Sequence, residues 1–144
     1  MTQSVTLDRS NGHLSIDGAA VGQLQSTGAT EGHVAIGPMR YTYRARPWIV
    51  QGYELGLFQG ETEICKLSSH WREGSSVTCL GESEFTYHQS RLIHDGKEFA
   101  ALVAGANSFT ITFTPELSES RRTELACLLI LNGLYRASEG AFAR

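Results

Sequence analysis

Alternating apolar and polar residues, broken at short intervals by turn sequences, make up most of this 144-residue chain. Alternation with a period of two is typical of β-strands that have one buried face. In residues 108–114, Phe109, Ile111 and Phe113 share one face, and hydroxyl side chains occupy the other. The pattern predicts strands over residues 3–8, 12–17, 20–26, 32–36, 40–47, 49–58, 61–68, 75–80, 84–88, 91–94, 97–104 and 108–114.

The turns between these runs predict a meander of antiparallel hairpins. Asn11-Gly12, Asp17-Gly18 and Asp95-Gly96 each fall between two predicted strands. Such pairs favour the positive φ angles that tight hairpin turns need. We therefore expect most strands to be neighbours of the strands that precede and follow them in the chain.

One segment has the composition of a buried helix, and it follows all the predicted strands. Residues 125–131 contain no polar side chain apart from the thiol of Cys127, and Leu134 and Tyr135 extend the apolar run. A surface helix has one apolar stripe, whereas a helix that is apolar on all sides must be buried on all sides. This helix is therefore expected to lie inside the fold.

The ends of this helix are predicted from its flanking residues. Thr114 is a suitable N-cap, with Pro115 at the first helical position, and Gly140 is a stop residue. These residues predict a helix over about residues 116–137. Ser118 or Ser120 is the competing N-cap if the residues after Thr114 form only a turn.

Together these elements predict a mainly β fold, a closed antiparallel barrel of about twelve strands that encloses the C-terminal helix. Closure removes edge strands, which are an aggregation hazard. A barrel of this size is too wide for its own side chains to fill, and an apolar helix would fill the lumen. The alternative is a lipocalin-like barrel with a ligand cavity, in which the helix packs outside and has a polar face.

This order of elements resembles the tubby C-terminal-like superfamily, which includes the LURP-one-related proteins and the phospholipid scramblases. The resemblance rests on the alternation of strands and turns, on residues 125–134, and on Trp48, Tyr53-Glu54-Leu55, Gly60-Glu61 and Ile64-Cys65-Lys66. It implies a single domain over residues 1–144, a twelve-stranded barrel with the C-terminal helix as a plug. Some members of the superfamily bind phosphoinositide headgroups through basic residues on the barrel wall.

Composition and charge exclude several classes of protein. Hydrophobic residues make up 41% and charged residues 19%, as in folded globular domains. The net charge of −3 argues against nucleic acid as the partner, because nucleic-acid binding usually needs a basic footprint. Three cysteines without CxxC spacing argue against a disulfide framework and a zinc ribbon, and they favour a reducing compartment.

Targeting features are also missing from the sequence. The N-terminus has neither the basic nor the apolar region of a signal peptide. The apolar core of the helix is far shorter than the about 20 residues that cross a bilayer. We therefore expect a cytoplasmic protein with no transmembrane segment.

The best candidate for a functional site is one face of the strand predicted over residues 40–47. Arg40, Arg44 and Arg46 project to the same side, and Trp48 stands at the end of that face. Guanidinium groups bind phosphate in bidentate geometry, and tryptophan suits a membrane interface. We expect a non-enzymatic binding module, without a cofactor, for an anionic lipid or phosphoinositide headgroup or for a protein partner.

Two alternatives compete with this interpretation. The arginines would form only a solvated barrel face if they pair with Glu54, Glu61 or Glu63 on neighbouring strands. A lipocalin-like barrel would instead carry a small hydrophobic ligand. No GxSxG motif is present, and the five histidines lack HxH and HExxH spacing, so we expect neither an enzyme nor a metal site.

Overall fold

A computed structural model describes residues 3–26, 31–47, 52–70, 74–79 and 85–142, with backbone only at 26, 74, 79, 119–120 and 137–142. The chain forms twelve strands followed by one helix. These are β1 (Gln3–Asp8), β2 (His13–Ile16), β3 (Ala19–Ser26), β4 (Glu31–Ile36), β5 (Met39–Pro47), β6 (Gly52–Gln59), β7 (Thr62–His70), β8 (Gly74–Cys79), β9 (Phe85–His88), β10 (Arg91–His94), β11 (Lys97–Ala104), β12 (Ser108–Phe113) and α1 (Glu119–Phe142).

The twelve strands form one closed antiparallel barrel. Each strand pairs with the strands before and after it in sequence, and β1 pairs with β12 to close the ring. In this closing pair Val5 lies opposite Ile111 and Leu7 opposite Phe109, with all four side chains buried. The alternation of apolar and polar residues therefore divides each strand between lumen and surface, and the predicted barrel is confirmed.

The helix lies inside the barrel. Every residue from 125 to 132 is buried, so no side of this part of α1 faces solvent. The helix contacts β12 and also β7 and β6, which lie five and six places from β12, respectively, around the ring of twelve. A helix packed outside could not contact opposite walls, so the lipocalin-like arrangement is wrong and the predicted enclosure is confirmed.

The helix begins later and ends later than predicted. The backbone N–H of Arg121 donates to the Ser118 hydroxyl at 3.3 Å, and the N–H of Arg122 donates to the Ser118 carbonyl at 2.9 Å. Ser118 is therefore the N-cap, and the helix starts at Glu119 rather than near residue 116. Its other end is at Phe142, so Gly140 lies within the helix and does not stop it.

Within the described part of the chain, three two-residue hairpin turns have positive φ angles at both positions. Asp17-Gly18 and Asp95-Gly96 do so as predicted, with φ of 51° at each aspartate. Gln89-Ser90 joins β9 to β10 with φ of 50° and 64°, although neither residue favours this conformation. No helix in the described part of the chain is long and apolar enough to span a membrane.

Candidate functional site

The three predicted arginines lie on the outer wall of the barrel. Arg40, Arg44 and Arg46 are exposed, whereas Tyr41 on the same strand points inward and is buried. The inward position of Tyr41 between these outward positions follows from the period of the strand. The structure thus brings the three arginines to one surface, and Trp48 lies outside the described residues.

Arg44 and Arg46 have acidic neighbours. A guanidinium nitrogen of Arg46 lies 3.4 Å from a carboxylate oxygen of Glu54, the directly opposite residue on β6. The Arg44 guanidinium lies 5.3 Å from the centre of the Phe58 ring, a cation–π contact. These side chains line a depression of about 370 Å³, together with Glu31 and Glu63.

The depression therefore has a mixed charge. Three carboxylates, from Glu31, Glu54 and Glu63, lie beside two guanidinium groups. Two of these carboxylates, Glu54 and Glu63, are among the neighbours expected for a solvated barrel face. The depression accordingly provides guanidinium groups but not a broad positive potential.

Arg40 lies in a different environment on the same wall. It borders a second depression of about 440 Å³, with Gln23, Gln25, His33 and Thr42 among the lining residues. Of the described residues that line this depression, none is acidic. The outer wall therefore has an acid-free part around Arg40 and a mixed part around Arg44 and Arg46.

A larger cavity opens at one mouth of the barrel, where the later turns of α1 reach the surface. Its lining comes from the starts of β6, β8 and β12, from the ends of β7, β9 and β11, and from the helix. It has a volume of about 710 Å³, and we call it the mouth cup. Its polar lining includes His70, Tyr87, His88, Ser90, Asn132 and Arg136.

Hydrogen bonds hold the floor of the mouth cup. The Tyr53 hydroxyl donates to the side-chain oxygen of Asn132, and both residues are buried. The Ser75 hydroxyl donates to the Ser69 hydroxyl at 3.0 Å. The Tyr53 ring also packs against Tyr135, with ring centres 4.7 Å apart. These contacts tie the helix and three strands together beneath the cavity.

The electrostatics of the mouth cup favour negative ligands. Burial raises the pKa of Tyr87, while a hydrogen bond with Ser90 and the positive charge of Arg136 act in the opposite direction. The phenol is therefore neutral at physiological pH and can donate a hydrogen bond. No acidic residue occurs among the described residues that line the cup.

Sequence reasoning missed the mouth cup because its residues come from six strands, one turn and the helix. None of these residues forms a local motif with the others. The one usable signal was Asn132, a polar residue that ends the apolar run of the helix. Over the described residues, no group of three or more His, Cys, Asp or Glu side chains is arranged to hold a metal ion.

Comparisons with known proteins give no match: no family model, no curated protein and no solved structure is detectably similar to this chain.

Proposed function

We propose that this protein is a non-enzymatic binding module that holds the phosphorylated headgroup of an anionic membrane lipid on its outer wall. The residues proposed to contact the headgroup are Arg40, Arg44 and Arg46, with Trp48 at the membrane interface. The observation that carries the proposal is the exposure of three guanidinium groups on one side of β5. Membership in the tubby C-terminal-like superfamily and a cytoplasmic location are parts of the same proposal.

The filled lumen favours an outer-wall site. Leu125, Leu128 and Leu129 are completely or almost completely buried inside the barrel, so they occupy the space that a carrier would need for a hydrophobic ligand. A ligand of this barrel must therefore bind at the outer wall or at a mouth. The filled lumen is therefore better suited to headgroup binding on the outside than to a lipocalin-like carrier function.

The carboxylates beside the arginines set the kind of lipid that fits. The ion pair of Arg46 with Glu54 is exposed at the arginine, whose side chain is 76% accessible. Exposed pairs of this kind contribute only about 0–1 kcal/mol, so a competing anion can replace the glutamate. A phosphate with two charges competes better than a headgroup with one, and we expect preference for phosphoinositides over phosphatidylserine.

The proposal is tested by sedimentation with vesicles. Phosphatidylcholine vesicles would contain either phosphatidylinositol 4,5-bisphosphate or phosphatidylserine at the same total charge. The variant Arg40→Gln/Arg44→Gln/Arg46→Gln removes three positive charges from the wall. The matched control Arg9→Gln/Arg91→Gln/Lys97→Gln removes three charges from exposed residues elsewhere on the barrel.

We expect the wild type and the control to sediment with the phosphoinositide vesicles, and the wall variant to stay in the supernatant. Equal loss of binding in both variants would mean that total charge, not the wall, is responsible. A wild-type protein that fails to bind these vesicles would refute lipid binding and leave a protein partner as the remaining use of this wall.

A further inference from the structure

We infer a second binding site, separate from the outer wall: the mouth cup binds a phosphorylated polyol, with Arg136 beside the phosphate and the cup hydroxyls on the polyol. The cup volume of about 710 Å³ lies within the roughly 300–1,000 Å³ typical of small-molecule sites. The cup lies at a mouth of the barrel, whereas the arginines of the outer wall lie on the surface of β5.

The buried polar residues of the fold converge on this cup. Tyrosine and cysteine aside, the buried polar residues among the described ones are Ser69, Ser75 and Asn132, and all three line the cup. Burying polar groups is unfavourable unless they find partners, and apolar residues would extend the core at these positions. Their concentration at one cavity is what a site for a hydroxyl-rich ligand requires.

These groups retain hydrogen-bonding capacity towards the cavity. The Asn132 oxygen accepts from Tyr53, so the amide nitrogen is the atom that can donate to a ligand. Ser75 donates to Ser69, so the hydroxyl of Ser69 keeps its own proton for another acceptor. Tyr87 and Ser90 add two more hydroxyl groups above this floor.

The charge in the cup selects an anion. Arg136 is exposed, and no ion pair of Arg136 is found among the described residues. His70 and His88 also line the cup, and imidazole nitrogens can donate to phosphate oxygens. With no acidic residue in the described lining, a phosphate group would meet donors and positive charge without a carboxylate competitor.

The turn at the rim of the cup supports the same conclusion. Gln89 and Ser90 occupy the left-handed region at φ of 50° and 64°, where the other two hairpins of this type have Asp-Gly. Left-handed backbone is unfavourable for such residues, and strained backbone is concentrated at functional sites. Both residues line the cup, so their side chains provide a reason for their presence in an unfavourable turn.

Calorimetric titration of the full chain tests the inference with glucose 6-phosphate as the soluble probe and glucose as the uncharged comparison. Arg136→Gln removes the charge in the cup, and Lys97→Gln is the matched control on the start of β11, outside the cup lining. Gln89→Asp places a carboxylate at the rim, and Gln89→Asn changes the same residue without adding charge. Vesicles containing phosphatidylinositol 4-phosphate test whether the phosphorylated polyol comes from a lipid.

We expect saturable binding of glucose 6-phosphate that is about tenfold weaker in Arg136→Gln and in Gln89→Asp, corresponding to about 1.4 kcal/mol. Lys97→Gln should bind as the wild type does, and Gln89→Asn, which adds no charge at the rim, should bind more tightly than Gln89→Asp. Binding confined to the vesicles, with the same sensitivity to Arg136→Gln, would support the site and assign a lipid source. The inference is overturned if neither probe binds, if glucose binds as tightly as its phosphate, or if the two cup variants bind normally.

Discussion

The Tyr53 hydroxyl donates a hydrogen bond to the side-chain oxygen of Asn132, connecting the start of β6 to the end of the buried part of α1. Residues 125–131, which precede Asn132 in the helix, are buried and apolar, and so is the lumen around them. Apolar contacts alone fix the rotation and depth of a helix weakly, because they are not directional. We therefore expect this directional contact to fix the rotation and depth of the helix within the barrel.

A double-mutant cycle tests this role. Tyr53→Phe should destabilise the fold by about 1–3 kcal/mol, because it leaves the buried Asn132 oxygen without its donor. Asn132→Leu should also destabilise it, since the Tyr53 hydroxyl loses its acceptor. The double variant should lose clearly less stability than the sum of the losses in the two single variants, because both partners are then apolar. Urea unfolding provides the free energies, and strictly additive costs would contradict the coupling.

The buried face of the helix should tolerate no charge. Leu128→Asp should prevent folding, because its carboxylate would lie in the lumen without a partner. Leu128→Ala should fold but lose about 2–5 kcal/mol through the cavity it creates. Val103 provides the control, since its side chain on the outer wall is 66% exposed and Val103→Asp should keep the fold. A cooperative thermal transition for Leu128→Asp would contradict the enclosed helix.

The hairpin turns before and after β10 allow a pair of opposite substitutions, glutamine to aspartate in one and aspartate to glutamine in the other. Gln89 and Asp95 have almost the same φ, 50° and 51°. Gln89→Asp should stabilise the protein by about 0.5–1 kcal/mol, because aspartate tolerates this conformation better, and Asp95→Gln should destabilise it by a similar amount. Midpoints of urea unfolding measure both changes. Changes of the same sign in the two variants would show that backbone conformation is not the cause.

Stability should fall at alkaline pH because of two buried groups. Burial is the main cause that raises the pKa of Cys127 from 9.0 to about 12 and the pKa of Tyr41 from 10.0 to about 12. In the unfolded chain these groups lose their protons first, so the folded state binds more protons in this interval. The free energy of unfolding therefore falls as pH rises from about 9 to about 12, by up to about 1.4 kcal/mol per pH unit for each group.

Single variants separate the two contributions. Cys127→Ala should remove the part of the decline that begins near pH 9, and Tyr41→Phe the part that begins near pH 10. Denaturant unfolding across this range measures the slopes. Near neutral pH the free energy of unfolding of each variant should change with pH as that of the wild type does, since neither group titrates there. An unchanged alkaline slope in both variants would assign the decline to other residues.

The sequence was sufficient for the barrel because each strand carries its own alternation and the helix carries its own burial pattern. The alternation in residues 108–114 predicts a strand with one buried face without reference to any other part of the chain. The apolar run at residues 125–131 likewise predicts a buried helix. The helix start was predicted less well, because Thr114 and Ser118 are both good caps. The choice between them depends on where the chain enters the lumen.

The sequence could predict a candidate site only where all of its residues lie on a single strand. Arg40, Arg44 and Arg46 share a face by spacing alone, but their glutamate neighbours depend on the register between strands. The mouth cup depends on the assembled ring, so no local pattern could reveal it. Residues 89–90 fall between the predicted strands 84–88 and 91–94, but the left-handed conformation of Gln89-Ser90 could not be predicted, because it contradicts the preferences of its residues.

The closed ring has a consequence for synthesis of the protein. The hydroxyls of Ser4 and Thr112 lie 3.3 Å apart, although 108 positions separate them, and the helix that fills the lumen follows both residues in the chain. A ribosome therefore releases all twelve strands before the residues that complete their core. The apolar faces of the strands lack their partner until α1 has been synthesised, so we expect the barrel to complete its folding only after α1 has left the ribosome.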